Sequence, residues 1–396
     1  MKFFLFFVGI AFALFFYTKV PASMGIKEGI ATVAILPMFI YFAINLIAKK
    51  IELRKDAVCI IILAVIIFLF KRTIGQNFTR EVILLLIFPM ILSLCFDNLK
   101  GKELTLLRRA VLFFYIAECG MAIVEKIANQ NYFYKPGEDI FVMIESGFFR
   151  STSLLGHPLI NAMVVAVFMT FIAISKFKNI LSQVFLFLLG YIAIFCFGAR
   201  GAILIVSVSI VPFFIWKLNK IAPPKAKRFI RFGVFCLLLG MFFMVTKTSL
   251  GGRMTGMDIY DQNAKTRIEV FNFYKFYHDR EEFLWGHPGL YLYMREKLEA
   301  GGVENGVISL ILYYGIIFAT LILLLYFMFQ YRRLSVYSKL EKWLVLAVFY
   351  LIGNMNPNLT GPIQWVMWVF CYYSFRPELL QQKKPVQKPN IKSIKK

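Results

Sequence analysis

Apolar runs recur along almost the whole chain, centred on 3–18, 29–48, 57–70, 82–97, 110–125, 157–175, 180–198, 201–217, 229–246, 306–330, 343–353 and 362–375. Crossing a hydrocarbon core of about 30 Å takes roughly 20 such residues per helix. Lipid offers no partner to a backbone N–H or C=O, so only helices and closed barrels span it. The pattern predicts an all-α, polytopic membrane protein with about 12 transmembrane helices. Several runs are short, and a re-entrant hairpin in place of one pair of crossings is the alternative. Composition agrees: 59% of the 396 residues are hydrophobic and 17% charged, too apolar for a soluble domain. The opening run, KFFLFFVGIAFALFF followed by VPASMG, has the charge and length of a secretory signal. Retention as a first helix is the preferred reading, because the segments after it are themselves membrane-embedded.

A formal net charge of +23 would point to nucleic acid in a soluble protein. Its distribution points elsewhere. With the N-terminus inside, the loops expected on the inner face carry 28 Lys and Arg, against about 8 in the short outer loops. This is the positive-inside bias, and it places both termini in the cytoplasm. The basic tail KKPVQKPNIKSIKK is expected to lie on anionic lipid headgroups. No basic face with interleaved exposed aromatics appears outside the spans, so nucleic acid is not an expected partner. Cys59, Cys95, Cys119, Cys196, Cys236 and Cys371 all fall within apolar runs without paired spacing, and read as buried thiols.

The chain divides into N-terminal membrane helices (1–246), a large outer loop (247–305), C-terminal membrane helices (306–376) and a basic cytoplasmic tail (377–396). The large loop is mixed in charge. Within TRIEVFNFYKFYHDREEFLWG, Ile268, Phe271, Tyr274, Phe276 and Tyr277 recur at helical spacing, as in an amphipathic helix lying on the membrane surface.

Arginines stand at three outer turns. Arg200 falls between two runs, in FCFGARGAILIV, with Gly198 and Gly201 allowing a tight turn. It reads either as an interfacial snorkelling side chain or as a bidentate grip on phosphate oxygens. Arg150 closes the smaller outer loop in FFRSTSLLGHPLINAM, just before His157 and Pro158 open the next helix with Asn161 one turn in. A helix N-terminus directs N–H groups at anions, so Arg150, His157 and Asn161 form a candidate diphosphate seat; a structural hydrogen-bonding role is the alternative for His157. The third cluster lies in the large loop: Arg267, His287 in LWGHPGLYLY, and Glu304 and Asn305 in GGVENGVISL. Glu304 reads as a helix-capping carboxylate or as a general base at the lipid surface. His278 in FYHDREE reads as a surface histidine. No Asp-x-Asp pair, phosphate loop or Gly-x-Ser-x-Gly elbow is present, so no metal or cofactor is expected.

Arg150 before GHPLIN, the GARGA turn, and the sequence from TRIEVFNFY through LWGHPG to ENGVISLILYYGIIFATLILL together resemble the O-antigen ligase and polymerase superfamily over roughly 110–335. The resemblance implies an enzyme of the bacterial cytoplasmic membrane. Such enzymes move a glycan from an undecaprenyl-diphosphate carrier to an acceptor hydroxyl on the outer face. Donor and acceptor lipid-linked glycans and membrane lipids are then the partners, with a chain-length regulator as a further one. The family's paired arginines match Arg200 and Arg267 and would hold the diphosphate, with Arg150 assisting. The ligase branch usually opens the tenth span with His-Asn, where this chain has Glu304-Asn305, and the glycine-rich turn is here GHPG with His287 inside it. Both departures favour a polysaccharide polymerase, with a lipid A core or protein ligase as the alternative and a lipid-linked glycan flippase as a more distant one. Glu304, or else His287, would be the base, and Asn305 would line the substrate site.

Overall fold

A helix with almost no polar side chain must be covered on every side by protein or lipid. The computed structural model describes residues 2–15, 18–23, 35–77, 79–133, 149–177, 179–221, 269–297, 303, 305–355 and 357–376, and every regular element among them is helical. In chain order the helices are α1 (Lys2–Phe15), α2 (Leu36–Ile47), α3 (Lys55–Thr73), α4 (Thr79–Asp97), α5 (Gly101–Ala128), α6 (Pro158–Ile174), α7 (Ile180–Phe197), α8 (Arg200–Lys220), α9 (Arg280–Trp285), α10 (Pro288–Lys297), α11 (Gly306–Arg333), α12 (Lys339–Asn354) and α13 (Pro362–Phe375). Helices occupy the expected runs except 229–246, which lies outside the described residues. By length and composition α4, α7, α8 and the stretch Gly306–Val336 can each cross a membrane.

Two helices form the axis of the bundle. All of α6 from Asn161 to Ile174 is buried, as is α13 from Ile363 to Phe375. Against α6 pack α7, α12 and α13, and against α13 also α4 and α5. The outer surface is equally apolar: Ile62, Val65, Ile66 and Leu69 on α3, Leu181 and Phe185 on α7, and Leu204 and Val208 on α8 are exposed. Large contiguous apolar patches of this kind face a partner or lipid, as suits a membrane-embedded protein whose α7 and α8 are long and apolar enough to span. Cys59 belongs to that outer surface, in contrast to the buried thiol expected, whereas Cys95, Cys119, Cys196 and Cys371 are buried. α1 is packed into the bundle, with Phe6, Ile10 and Ala13 fully buried and the Phe6 ring against Tyr41 and Phe96.

One end of the bundle is tied by charge. Arg333 donates to Asp97 at 2.5 Å and lies 3.8 Å from Asp56. Tyr373 donates to the same Asp97 oxygen at 2.7 Å, and Tyr372 to the Arg333 carbonyl at 2.8 Å. These contacts join α3, α4, α11 and α13. Nearby, Lys217 of α8 pairs with Glu341 at 2.6 Å, and Glu341 also completes a reciprocal cap with Ser338 at the start of α12.

Where helices depart from regularity, side chains take up the backbone. A wide turn at Ile83–Ile87 in α4 leaves the Leu85 carbonyl accepting from the Tyr326 hydroxyl at 2.6 Å. α11 breaks at Gly315 (φ +79, ψ 164). Against that break sits Gly286 (φ +71): a Cβ on it would stand 2.2 Å from the Gly315 nitrogen, and a Cβ on Gly315 would stand 2.2 Å from the Leu284 carbonyl oxygen. Carbonyls beside the break are met from outside the helix. The His287 N–H donates to Leu312 at 3.0 Å. Lys71, only 1% exposed, donates to Tyr313 at 3.3 Å, to Gly286 at 2.9 Å and to the Trp285 carbonyl.

The described part of the large loop is thereby docked on α11, with Val270, Leu290 and Met294 buried against Val303, Ile308 and Leu312. Its first segment differs from the single amphipathic helix expected. The backbone makes a tight 3₁₀ turn over Val270–Phe276 that is interrupted at Asn272, and Tyr277 is extended. A new helix, α9, then starts because Asp279 caps it, accepting from the Glu282 N–H at 2.7 Å. Phe271 and Tyr274 remain exposed. His278 is a surface residue paired with Glu282.

Gly315→Ala is expected to lower stability by about 3 kcal/mol or more, since it adds left-handed strain to a backbone clash. A fall of several degrees in the unfolding midpoint of the detergent-purified protein would report it, and Gly286→Ala should act in the same direction.

Candidate functional site

At the opposite end of the bundle the connection from α5 to α6 is wrapped around a carboxylate. Glu125, fully buried in the last turns of α5, accepts from the Ser151 hydroxyl at 2.6 Å and from the Thr152 and Ser153 N–H groups at 2.9 and 2.8 Å. Its second oxygen accepts from the Tyr132 N–H at 3.0 Å. Two turns earlier Glu118, also fully buried, accepts from the Leu154 N–H at 3.2 Å, and its carbonyl takes the Ser153 hydroxyl at 2.7 Å. Buried backbone N–H groups need acceptors, and here these bonds fix residues 151–154 one by one.

The residues on either side of that segment are the expected ones. Arg150, 7% exposed, donates from Nε to the Phe197 carbonyl at 2.9 Å, at the C-terminus of α7 where a cation is favoured. The Ser151 N–H adds a bond to the Cys196 carbonyl at 3.1 Å, and Lys126 anchors the Phe149 carbonyl at 2.6 Å. Gly198 (φ +61) ends α7, and the Arg150 stem lies 3.5 Å from where its Cβ would stand. Arg200, half-buried, opens α8 two residues later. Arg150 and Arg200 therefore flank one turn.

His157 caps α6, its Nδ1 accepting from the Leu159 N–H at 3.3 Å. Its edge is open to solvent, but crowding around the ring disfavours the imidazolium. The positive charges of Arg150 and Lys19 act in the same direction, so its pKa is pushed down to about 4. It is a neutral group at physiological pH. Asn161 is fully buried and donates to the Thr152 carbonyl, which ties α6 to the same loop.

A second group forms at the start of α11. Asn305, 8% exposed, caps that helix by accepting from the Ile308 N–H at 2.9 Å. His287 lies in the turn docked on Leu312, with Nδ1 accepting from the Gly289 N–H at 3.0 Å. The end of α12 links the two groups: Asn354 accepts from the Val307 N–H at 3.1 Å, and the neighbouring Met355 fills the space beside Gly201, 2.4 Å from where a Cβ would stand. Arg267 and Glu304 lie outside the described residues. Among the described residues no group of three or more His, Cys, Asp or Glu could hold a metal ion.

Chemically, this end offers permanently charged guanidinium groups and the N-terminus of α8, a combination suited to phosphate oxygens. Comparison with protein-family models and with curated proteins finds no match for this chain.

Three residues at this end carry more than the sequence reading gave them. A carboxylate near a helix end ordinarily faces water, and the i, i+7 spacing of Glu118 and Glu125 on one helix face is the available signal for Glu125. Nothing local distinguishes Lys71 and Lys19 from snorkelling side chains.

Glu125→Ala should cost about 3 kcal/mol or more, because several buried donors lose their acceptor together. Glu125→Gln, which keeps an acceptor oxygen, should cost less. Thermal unfolding of the two variants in detergent tests the order.

Proposed function

We propose that the protein is an inverting, metal-independent glycosyltransferase of the bacterial cytoplasmic membrane that polymerises undecaprenyl-diphosphate-linked oligosaccharide repeat units on the outer face, for an O-antigen, capsule or exopolysaccharide. The observation that carries this reading is the placing of Arg150 and Arg200 around a single turn, beside the N-termini of α6 and α8, at one end of a membrane-embedded bundle. The Arg150 and Arg200 end is read as the outer face. The more basic loops, including 49–55, 100–109 and 332–342, belong to the end that holds Arg333 and Asp97, as the positive-inside rule requires of the cytoplasmic face.

In the reaction an acceptor hydroxyl oxygen attacks the anomeric carbon of the donor sugar. The bond from that carbon to the diphosphate oxygen breaks, and the hydroxyl proton passes to a base, Glu304 or else His287. The diphosphate leaves as a stable anion and needs no general acid. Its growing charge is neutralised by Arg200 and Arg267 with Arg150 assisting. One displacement inverts the anomeric centre. His157, Asn161 and Asn305 shape the seat, as helix cap, loop tie and helix cap respectively. The departures from the ligase pattern at Glu304 and in GHPG favour a polymerase over a ligase. A flippase would need ionisable groups near mid-span facing a cavity; Glu118, the best such group in the sequence, instead accepts from the Leu154 N–H.

Purified protein supplied with lipid-linked repeat units, with chain length followed on a gel, tests the proposal. Arg200→Ala should slow elongation by about 100-fold and Arg200→Lys by less, since lysine supplies charge without the bidentate fork. Glu304→Gln should cost about 100-fold or more if it is the base, with His287→Ala near wild type; the reverse pattern assigns the base to His287. Glycan found on lipid A core or protein would make the enzyme a ligase, and movement across proteoliposomes without new glycosidic bonds would make it a flippase. Orientation has its own check. A cysteine introduced within 377–396 should resist an impermeant thiol reagent on whole cells, whereas one within 247–268 should react.

A further inference from the structure

Gly156 is a glycine for two reasons, and the second concerns Lys19. Its φ of +73 is one that side-chain-bearing residues rarely adopt. A Cβ there would also fall 2.1 Å from Lys19 Cγ and 3.0 Å from Cδ and Cε. The whole lysine stem thus runs across the bare face of Gly156, one residue before the cap of α6. Its backbone is fixed for this by the Lys19 N–H, which donates to the Leu154 carbonyl at 2.6 Å, on the loop that Glu118 and Glu125 hold. From there its charge acts on the His157 ring together with that of Arg150. The Lys19 ammonium therefore approaches the start of α6 from the segment after α1, remote in sequence, and the Arg150 guanidinium from the connection that leads into α6 itself. Lys19 and Arg200 are half-buried and the His157 ring is exposed, so the spot is open at its edge. Two buried polar atoms without a hydrogen-bond partner, Thr152 Oγ1 and Asn161 Oδ1, belong to the same loop and to the first turns of α6.

We infer that Lys19 is a further anion-binding residue of this site, laid over Gly156 so that its ammonium and the Arg150 guanidinium contact the same diphosphate. The inference rests on the glycosyltransferase reading for the identity of the diphosphate as the donor's, but not for the binding itself. Two cations of different shape divide the work: the guanidinium fork fixes direction, and the ammonium adds a compact charge that adapts to either phosphate. Gly156 then serves as a groove for the lysine as well as a turn.

The test uses inorganic diphosphate as the probe and the full chain in phosphatidylcholine nanodiscs, with binding read by calorimetry and donor KM and kcat read in the elongation assay. Lys19→Gln should weaken diphosphate binding about five- to tenfold and raise donor KM with kcat little changed, and Lys19→Arg should restore most of both. Gly156→Ala should weaken binding to a similar degree, and should cause little further loss in a Lys19→Gln background, because both changes remove the same ammonium. Equal diphosphate affinity for Lys19→Gln and wild type would overturn the inference, whatever Gly156→Ala does. Loss of diphosphate binding when phosphatidylglycerol replaces part of the phosphatidylcholine would also overturn it, by assigning the spot to a bulk lipid headgroup. The two proposals can fail separately: diphosphate bound through Lys19 by a protein that elongates nothing removes the glycosyltransferase reading alone, and elongation with an unchanged KM for Lys19→Gln removes this one alone.

Discussion

A backbone polar group inside a bilayer has no water to turn to, and the wide turn in α4 and the break in α11 answer that constraint. The wide turn in α4 gives its carbonyl to Tyr326, and the break in α11 gives carbonyls to Lys71 and to the His287 N–H. In the connection from α5 to α6 the burden is reversed, because there the backbone supplies N–H groups and Glu125 and Glu118 supply the acceptors. A side chain used in this way is doubly constrained: it satisfies the backbone, and it fixes where the neighbouring residues point.

That second effect organises the candidate site. Arg150 is held at the C-terminus of α7 because Glu125 and Glu118 fix residues 151–154, and α6 begins where it does because the same segment leads into His157. The charged cluster at the far end, built on Arg333 and Asp97, clamps four helices through side chains that are almost fully buried. The two ends are therefore different in kind. One is tied by ion pairs between acid and base, and the other by carboxylates that hold backbone N–H groups.

Much of this was legible in the sequence, and the illegible part has a physical explanation. Helices follow from the long apolar runs, because a single-residue shift in a helix end leaves the run intact; α6, α7 and α11 lie close to their expected positions. The grouping of Arg150 with Arg200 followed from each standing beside a glycine turn at the same expected face. The roles of Glu125, Lys71 and Lys19 did not follow, since each depends on a partner remote along the chain and no local spacing encodes it. The segment around Phe271 misled for the opposite reason. Its aromatic residues have helical periodicity, but Asp279 makes a strong helix start just downstream, and a cap there takes precedence over continuation through Tyr277. Asn305, expected at the substrate, is occupied as a helix cap, a role that the residue type favours wherever a helix begins after a glycine-rich turn.

The interruption of α11 also sets a depth. Counted from Gly315, the unbroken part of the helix, residues 316–333, rises about 27 Å at 1.5 Å per residue, close to the thickness of the hydrocarbon layer. Residues 306–314 add about 13 Å more along the chain, beyond the level at which Lys71 gathers the carbonyls of Trp285, Gly286 and Tyr313. The Gly286 and Gly315 contact thus acts as a ruler, fixing where the unbroken length of α11 begins.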